Sequence, residues 1–161
     1  MGKIIFAAFI VAGILLGRGP LLSQNAAATV DRDLQLLRKD LRSQRKQIVA
    51  ANVILTAAEA QKFWPIYDEY AAELAKINDT KLSLIKEYAA NYAAFTDAQA
   101  QSIMERWTAA DDAAIQLRIK YIPILQKVLP GKTVALFFQV DRRIGVLMDL
   151  QVASDIPLVE P

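Results

Sequence analysis

The stretch LTAAEAQKF, Leu55–Phe63, decides the fold because it begins a helix, and an altered copy, FTDAQAQSI, follows at Phe95–Ile103. Each copy contains a Thr and, three residues later, a Glu or Gln. In such a capping box the Thr hydroxyl accepts a hydrogen bond from the backbone N–H of the Glu or Gln, whose side chain accepts one from the Thr N–H. The two copies therefore predict two helix starts, one at Thr56 and one at Thr96.

The residue before each threonine is apolar: Leu55 in the first copy and Phe95 in the second. An apolar residue at this position packs on the first helical turn and fixes the direction in which the chain enters. Because capping boxes are common at helix starts, the motif predicts structure and by itself no binding site. The predicted structural caps are Leu55, Thr56, Glu59, Phe95, Thr96 and Gln99.

Apolar residues spaced alternately by four and three predict long helices after each capping box. We expect a first helix that ends near Ala51, helices over 56–92 and 96–128, and a fourth over 132–151. No stretch alternates polar and apolar residues with a period of two, so the fold is predicted to be all-α. The predicted buried positions are Leu34, Leu37, Leu41, Ile48, Phe63, Tyr67, Tyr70, Leu74, Ile77, Leu84, Tyr88, Ile103, Trp107, Ala110, Ala114, Leu117, Tyr121, Ile124, Phe137, Val140, Ile144 and Leu147.

The short turn at 93–95 predicts that the two longest helices form an antiparallel hairpin, with the first and fourth helices added to it. A proline inside a helix removes one hydrogen bond and bends the axis, so two prolines at the same level predict a curved hairpin. Lys81 opposite the Trp107 ring predicts a cation–π contact. Pairing residues symmetrically about Ala94 places Pro65 opposite Pro123, Tyr67 opposite Tyr121, and Lys81 opposite Trp107.

The first 28 residues have the pattern of a secretory signal peptide. Lys3 is the charged start, residues 4–16 are apolar, and Ala26-Ala27-Ala28 offers a cleavage site before Thr29. The apolar run is shorter than the roughly 20 residues that span a bilayer, so we expect cleavage, export and no stable membrane insertion. An uncleaved membrane anchor is the alternative. The predicted organisation is a signal peptide at 1–28, a helical domain at 29–152 and an extended tail at 153–161.

The composition argues against an enzyme and against a nucleic-acid-binding protein. Without Lys3 and Arg18, which lie in the predicted signal peptide, 17 basic residues balance 17 acidic ones. Nucleic-acid binding requires a basic surplus. The absence of Cys and His removes thiolate nucleophiles, imidazole bases and the usual zinc ligands. The acidic pairs 68–69 and 111–112 are helix neighbours that point in different directions, so we expect no catalytic site, cofactor or metal.

Binding is then the expected role of the surface. Four helices in a short chain form a thin layer, which leaves apolar side chains exposed unless a second subunit covers them. A run of basic residues in the first helix would attract partners over a distance. The alternatives are an ordinary solvated helix face for the basic run and a core or dimer interface for the apolar residues. The candidate protein-binding residues are Arg38, Arg42, Arg45, Lys46, Trp64, Phe137 and Phe138.

A signal peptide, a basic amphipathic helix and Leu-Thr-x-x-Glu at 55–59 before a helical hairpin resemble the Spy/CpxP-like periplasmic proteins with the LTxxQ motif. The resemblance covers roughly residues 34–144, with Glu59 in place of Gln. The second motif of the family would fall at 129–133, where only Leu129 matches, and Phe137 follows at the family's spacing. The metal-binding relatives look histidine-dependent, so this chain is not expected to share that role.

The resemblance implies a cradle-shaped homodimer of helical hairpins. It implies ATP-independent chaperone action on unfolded or partly folded envelope proteins, or a role in envelope stress. Two alternatives stay open. One is an adaptor or inhibitor that docks on a single envelope sensor protein. The other is a structural coiled-coil protein at the inner membrane.

Overall fold

The computed structural model describes residues 43–155, all of which belong to one compact unit. Within them, α1 covers 43–52, α2 Ala57–Asn91, a 3₁₀ turn Tyr92–Ala94, α3 Asp97–Gln126 and α4 Gly131–Asp155. Helices α2 and α3 pack as a long hairpin, and α1 and α4 contact it. The described part of the chain is entirely helical in its regular structure, which confirms the predicted all-α class.

Both capping boxes form as the sequence predicts. The Thr56 hydroxyl accepts a hydrogen bond from the Glu59 N–H at 3.3 Å, and the Thr56 N–H donates to the Glu59 carboxylate at 2.8 Å. Thr96 and Gln99 repeat the arrangement, at 3.3 Å and 2.9 Å. The bond from the Thr56 backbone lowers the pKa of the Glu59 carboxyl below its ordinary value. Local sequence therefore fixes where the two arms of the hairpin begin.

The core largely follows the predicted heptad seam. Ile77, Ile103 and Trp107 are only half-buried, and Leu147 is exposed. Two further predicted positions are replaced by a neighbour: Val49 is buried in place of Ile48 in α1, and Leu125 in place of Ile124 in α3. Each lies where a further helix packs beside the hairpin, and a helix between two neighbours buries a wider face than a two-helix seam. The predicted positions that are buried are Phe63, Tyr67, Tyr70, Leu74, Leu84, Tyr88, Ala110, Ala114, Leu117, Tyr121, Phe137, Val140 and Ile144.

The register in the middle of the hairpin differs from the predicted one by about one helical turn. The Tyr121 ring packs edge-on against Tyr70 at 5.3 Å, and its hydroxyl donates to Glu73 at 2.7 Å, so Tyr121 does not pair with Tyr67. The cause is the connection between α2 and α3. The 3₁₀ turn continues the chain from α2 to Ala94, and α3 begins only at Asp97, so the midpoint of the hairpin turn lies beyond Ala94.

Pro65 and Pro123 lie inside continuous helices, so neither residue ends its helix. The predicted cation–π contact nearer the tip of the hairpin is confirmed. The Lys81 Nζ lies 5.6 Å from the centroid of the Trp107 ring, and it also forms an ion pair with Asp111.

Helix α4 is longer than predicted. It continues to Asp155, so residues 153–155, which were expected to be extended, are helical. The chain contains no helix-breaking residue between Gly145 and Pro157, which accounts for the extra turn. Residues 156–161, the predicted signal peptide at 1–28 and the predicted stripe positions Leu34, Leu37 and Leu41 lie outside the described residues.

Candidate functional site

One buried polar cluster joins all four helices. The Asp141 carboxylate of α4 has no exposed surface, and it accepts a hydrogen bond from Arg45 of α1 at 2.7 Å. It accepts a second from the hydroxyl of Tyr70 of α2, also at 2.7 Å. The Nε of Arg118, in α3, lies 3.5 Å from the same carboxylate. Each helix therefore contributes one residue to a single buried site.

The cluster holds two guanidinium groups around one carboxylate. The Arg45 side chain is 10 % exposed and that of Arg118 is 30 % exposed, so Arg45 carries the more buried positive charge. The Asp141 carboxylate balances it. Burial, and then the Asp141 charge, raises the pKa of Tyr70, which keeps the phenol protonated as a donor. Because an unpaired buried charge is costly, this pairing fixes where α1 and α4 dock on the hairpin.

Asp141 is the residue that the sequence reasoning missed. It stands between Val140 and Ile144 on the buried stripe of α4, and an acid on an apolar stripe indicates a buried partner. That partner is Arg45, which was expected to capture proteins at the surface. The prediction for Arg45 is corrected, because its guanidinium lies inside the bundle and pairs with a residue 96 positions away.

Lys46 and Trp64 meet at the edge between α1 and α2. The Lys46 ammonium pairs with Asp68 at 2.6 Å and lies 5.2 Å from the centroid of the Trp64 ring. Trp64 packs edge-on against Phe63 at 5.0 Å. Both predicted residues are half-buried, so each keeps part of its surface available for contact.

The remaining predicted binding residues divide into three groups. Phe137 has no exposed surface and packs against Phe63 at 5.4 Å, so it is a core residue, which corrects its expected role in surface contact. Phe138 is half-buried and packs on Phe137 at 4.8 Å. Arg38 and Arg42 lie outside the described residues.

Helix α3 carries an exposed apolar stripe, which we call the isoleucine stripe: Ile115, Ile119 and Ile122. These side chains are 51, 55 and 37 % exposed, and their spacing of four and three places them on one face of the helix. The exposed acid Asp112 precedes the stripe, and the exposed base Lys127 follows it. The stripe is separate from the seam that packs against α2.

Helix α4 also exposes apolar side chains on its outer side. Leu136, Val146, Leu147 and Leu150 are between 40 and 66 % exposed. The predicted burial of Leu147 is therefore wrong. Met148 packs against the core in its place, because the buried stripe steps by four residues after Ile144.

A groove of about 360 Å³ lies along α2 beside α1. Its lining includes the small residues Ala71, Ala72 and Ala75, and also Lys46 and Asp68, which form an ion pair. The two opposite charges balance each other at the groove. This shape and chemistry suit an apolar side chain of another protein better than a charged ligand.

Residues 43–155 contain no group of three or more His, Cys, Asp or Glu side chains placed to hold a metal ion. None of the helices in that range combines the length and the apolarity needed to cross a bilayer. No protein-family model, curated protein or solved structure matches the chain. The function must therefore be inferred from the exposure, charge and contacts of the described side chains.

Proposed function

We propose that the chain is a periplasmic, ATP-independent chaperone-like or envelope stress-response protein of the Spy/CpxP-like type. In this proposal it holds unfolded or partly folded envelope proteins on an exposed helix face. The isoleucine stripe of α3 carries the proposal. Three large apolar side chains in one row on a helix surface are a feature of interaction sites.

The stripe suits weak and unspecific holding. It is an exposed helical face, so it offers apolar contact to any extended apolar segment and imposes little shape on it. Exposed charges of opposite sign, Asp112 and Lys127, lie within five residues of the stripe in the sequence, which offers a nearby partner to clients of either charge. Lys46 and Trp64 add a charged and aromatic edge on α1 and α2.

The proposal includes a curved hairpin and a homodimer. Pro65 and Pro123 each remove one hydrogen bond from a helix, and a bend at each proline would make one side of the hairpin concave. A second copy would double the number of stripes presented to one client. Light scattering of the purified protein measures the mass of the assembly and tests the dimer.

An aggregation assay tests the holding activity. A reduced, unfolded client is diluted into buffer, and its light scattering is followed with and without the protein. We expect stoichiometric wild type to suppress the scattering, and the double variant Ile115→Gln, Ile119→Gln to lose most of the effect. Ile54→Gln is the matched control, since Ile54 is exposed in the joint between α1 and α2.

Two results would count against the proposal. One is wild-type protein at stoichiometric amounts that leaves the scattering unchanged. The other is a double variant that protects the client as well as Ile54→Gln does. A pull-down from envelope extract separates the adaptor function: a single stoichiometric partner retained on the wild type and lost on the double variant would favour it.

A further inference from the structure

The outer face of α4 forms a second surface with its own chemistry. Its residues are spaced by four, three, four, four and three, so they form one row along the helix that borders the buried stripe and is separate from it. Every residue in the row is exposed. At 1.5 Å per residue the row is about 27 Å long. We call it the α4 outer row: Lys132, Leu136, Gln139, Arg143, Leu147 and Leu150.

The α4 outer row is basic and apolar and has no acidic member. Lys132 and Arg143 supply two positive charges. The exposed acid Asp149, next to Leu150 in the chain, points about 100° away from it around the helix. The apolar part is concentrated at the end of the row. Leu147 and Leu150 are 66 and 65 % exposed there. An amphipathic helix with such a face binds where anionic groups border an apolar layer.

We propose that the α4 outer row binds the surface of a bilayer that contains anionic phospholipids. The headgroups would pair with Lys132 and Arg143, while Leu147 and Leu150 reach the boundary of the acyl chains. The long stems of Lys and Arg let their charged ends stay among the headgroups as the leucines descend. This interaction is independent of client holding, because the isoleucine stripe lies on a different helix.

A second copy of the chain is a poorer occupant of this face. Two outer rows packed together would bring four positive charges into one interface with no carboxylate of either row to balance them, and like charges repel. A bilayer supplies the missing negative charge along the whole row. The charge pattern therefore favours an anionic lipid surface over self-association.

Vesicle sedimentation tests the proposal. The exported protein is mixed with phosphatidylcholine vesicles or with vesicles that contain one quarter phosphatidylglycerol. We expect binding to the anionic vesicles that weakens as salt is added. Arg143→Glu should bind about thirtyfold more weakly, the effect expected for two charge units near an anionic surface. The double variant Leu147→Gln, Leu150→Gln should lose about tenfold through the lost apolar contact.

The matched control is Ile115→Gln, Ile119→Gln, which removes two exposed apolar side chains from α3 and should bind vesicles like wild type. Gln139→Glu is a milder second variant that adds one acid to the row and should weaken binding severalfold. All variants share one N-terminal region, so binding by that region would affect them equally. Circular dichroism checks that each variant is folded.

Three outcomes would overturn the proposal. The first is equal binding to both kinds of vesicle or to neither. The second is α4 variants that bind like wild type. The third is a change in assembled mass caused by the α4 variants without a change in vesicle binding, which would assign the row to a protein interface.

Discussion

Replacement of Asp141 by Asn should destabilise the protein strongly, because it removes the one carboxylate shared by all four helices. Asn keeps the size of the side chain and can still accept a hydrogen bond from Tyr70, which donates to Asp141 at 2.7 Å. It cannot balance the Arg45 charge, which lies 2.7 Å away with a side chain only 10 % exposed. The perturbation is thus confined to charge.

The expected loss follows from the burial of the partners. Breaking a buried ion pair by removing one member costs about 3–5 kcal/mol, because the remaining charge is left uncompensated. The Arg118 side chain is 30 % exposed and 3.5 Å from the carboxylate, so water can replace most of its contact. We therefore expect a loss near 3 kcal/mol, a large share of the roughly 5–15 kcal/mol typical of a small protein.

Urea unfolding followed by circular dichroism at neutral pH measures the loss. With a slope of about 1.5 kcal/mol per molar urea, the midpoint should fall by about 2 M. Asp149→Asn is the matched control, since Asp149 is an exposed acid on the same helix and should cost less than about 0.5 kcal/mol. Arg45→Met should partly rescue Asp141→Asn, because it removes the stranded charge.

A cost of less than about 1 kcal/mol for Asp141→Asn would show that the carboxylate does not balance a buried charge. Free-energy changes of Arg45→Met and Asp141→Asn that simply add would also contradict the pairing, since additive changes indicate residues that do not interact.

Three further predictions concern single side chains. Thr96→Ala removes a helix cap and should cost about 1 kcal/mol in urea unfolding, whereas Thr108→Ala, inside the same helix, should cost almost nothing. Burial raises the pKa of Tyr67 to about 12, so this phenol ionises at a lower pH in the unfolded chain than in the folded protein. The free energy of unfolding should therefore fall as the pH rises above 10. Tyrosinate absorbance and circular dichroism, followed together, measure this. Hydrogen bonding to Lys120 lowers the pKa of Glu73, so its contribution is present above pH 4.5 and lost as the pH falls, and Glu73→Gln should flatten the acid limb of the stability curve.

Features encoded locally were predictable from the sequence. Thr56 and Thr96 begin their helices as expected because a capping box involves only four consecutive residues. The seam of α2 was predictable because a regular helix repeats its buried face every three or four residues, so Phe63, Tyr70 and Leu84 identify it without knowledge of the partner.

Features that depend on distant residues were not predictable in the same way. The hairpin register follows from the 3₁₀ turn before Phe95, whose geometry the pattern of apolar residues does not specify. The burial of Arg45 depends on Asp141, which lies 96 positions further along the chain. Without knowledge of that partner, a basic run in a helix predicts an exposed face. The exposure of Leu147 depends on which neighbouring position, Met148, meets the core.

Site-specific crosslinking of a client to the isoleucine stripe tests the proposed function most directly. The chain contains no cysteine, so Ile119→Cys gives a single position for a photoactivatable label, and Ile54→Cys gives the matched control on another exposed surface. An unfolded client should crosslink at position 119 and much less at position 54. Equal crosslinking at both positions, or crosslinks at position 119 only between two copies of the chain, would contradict client binding by the stripe.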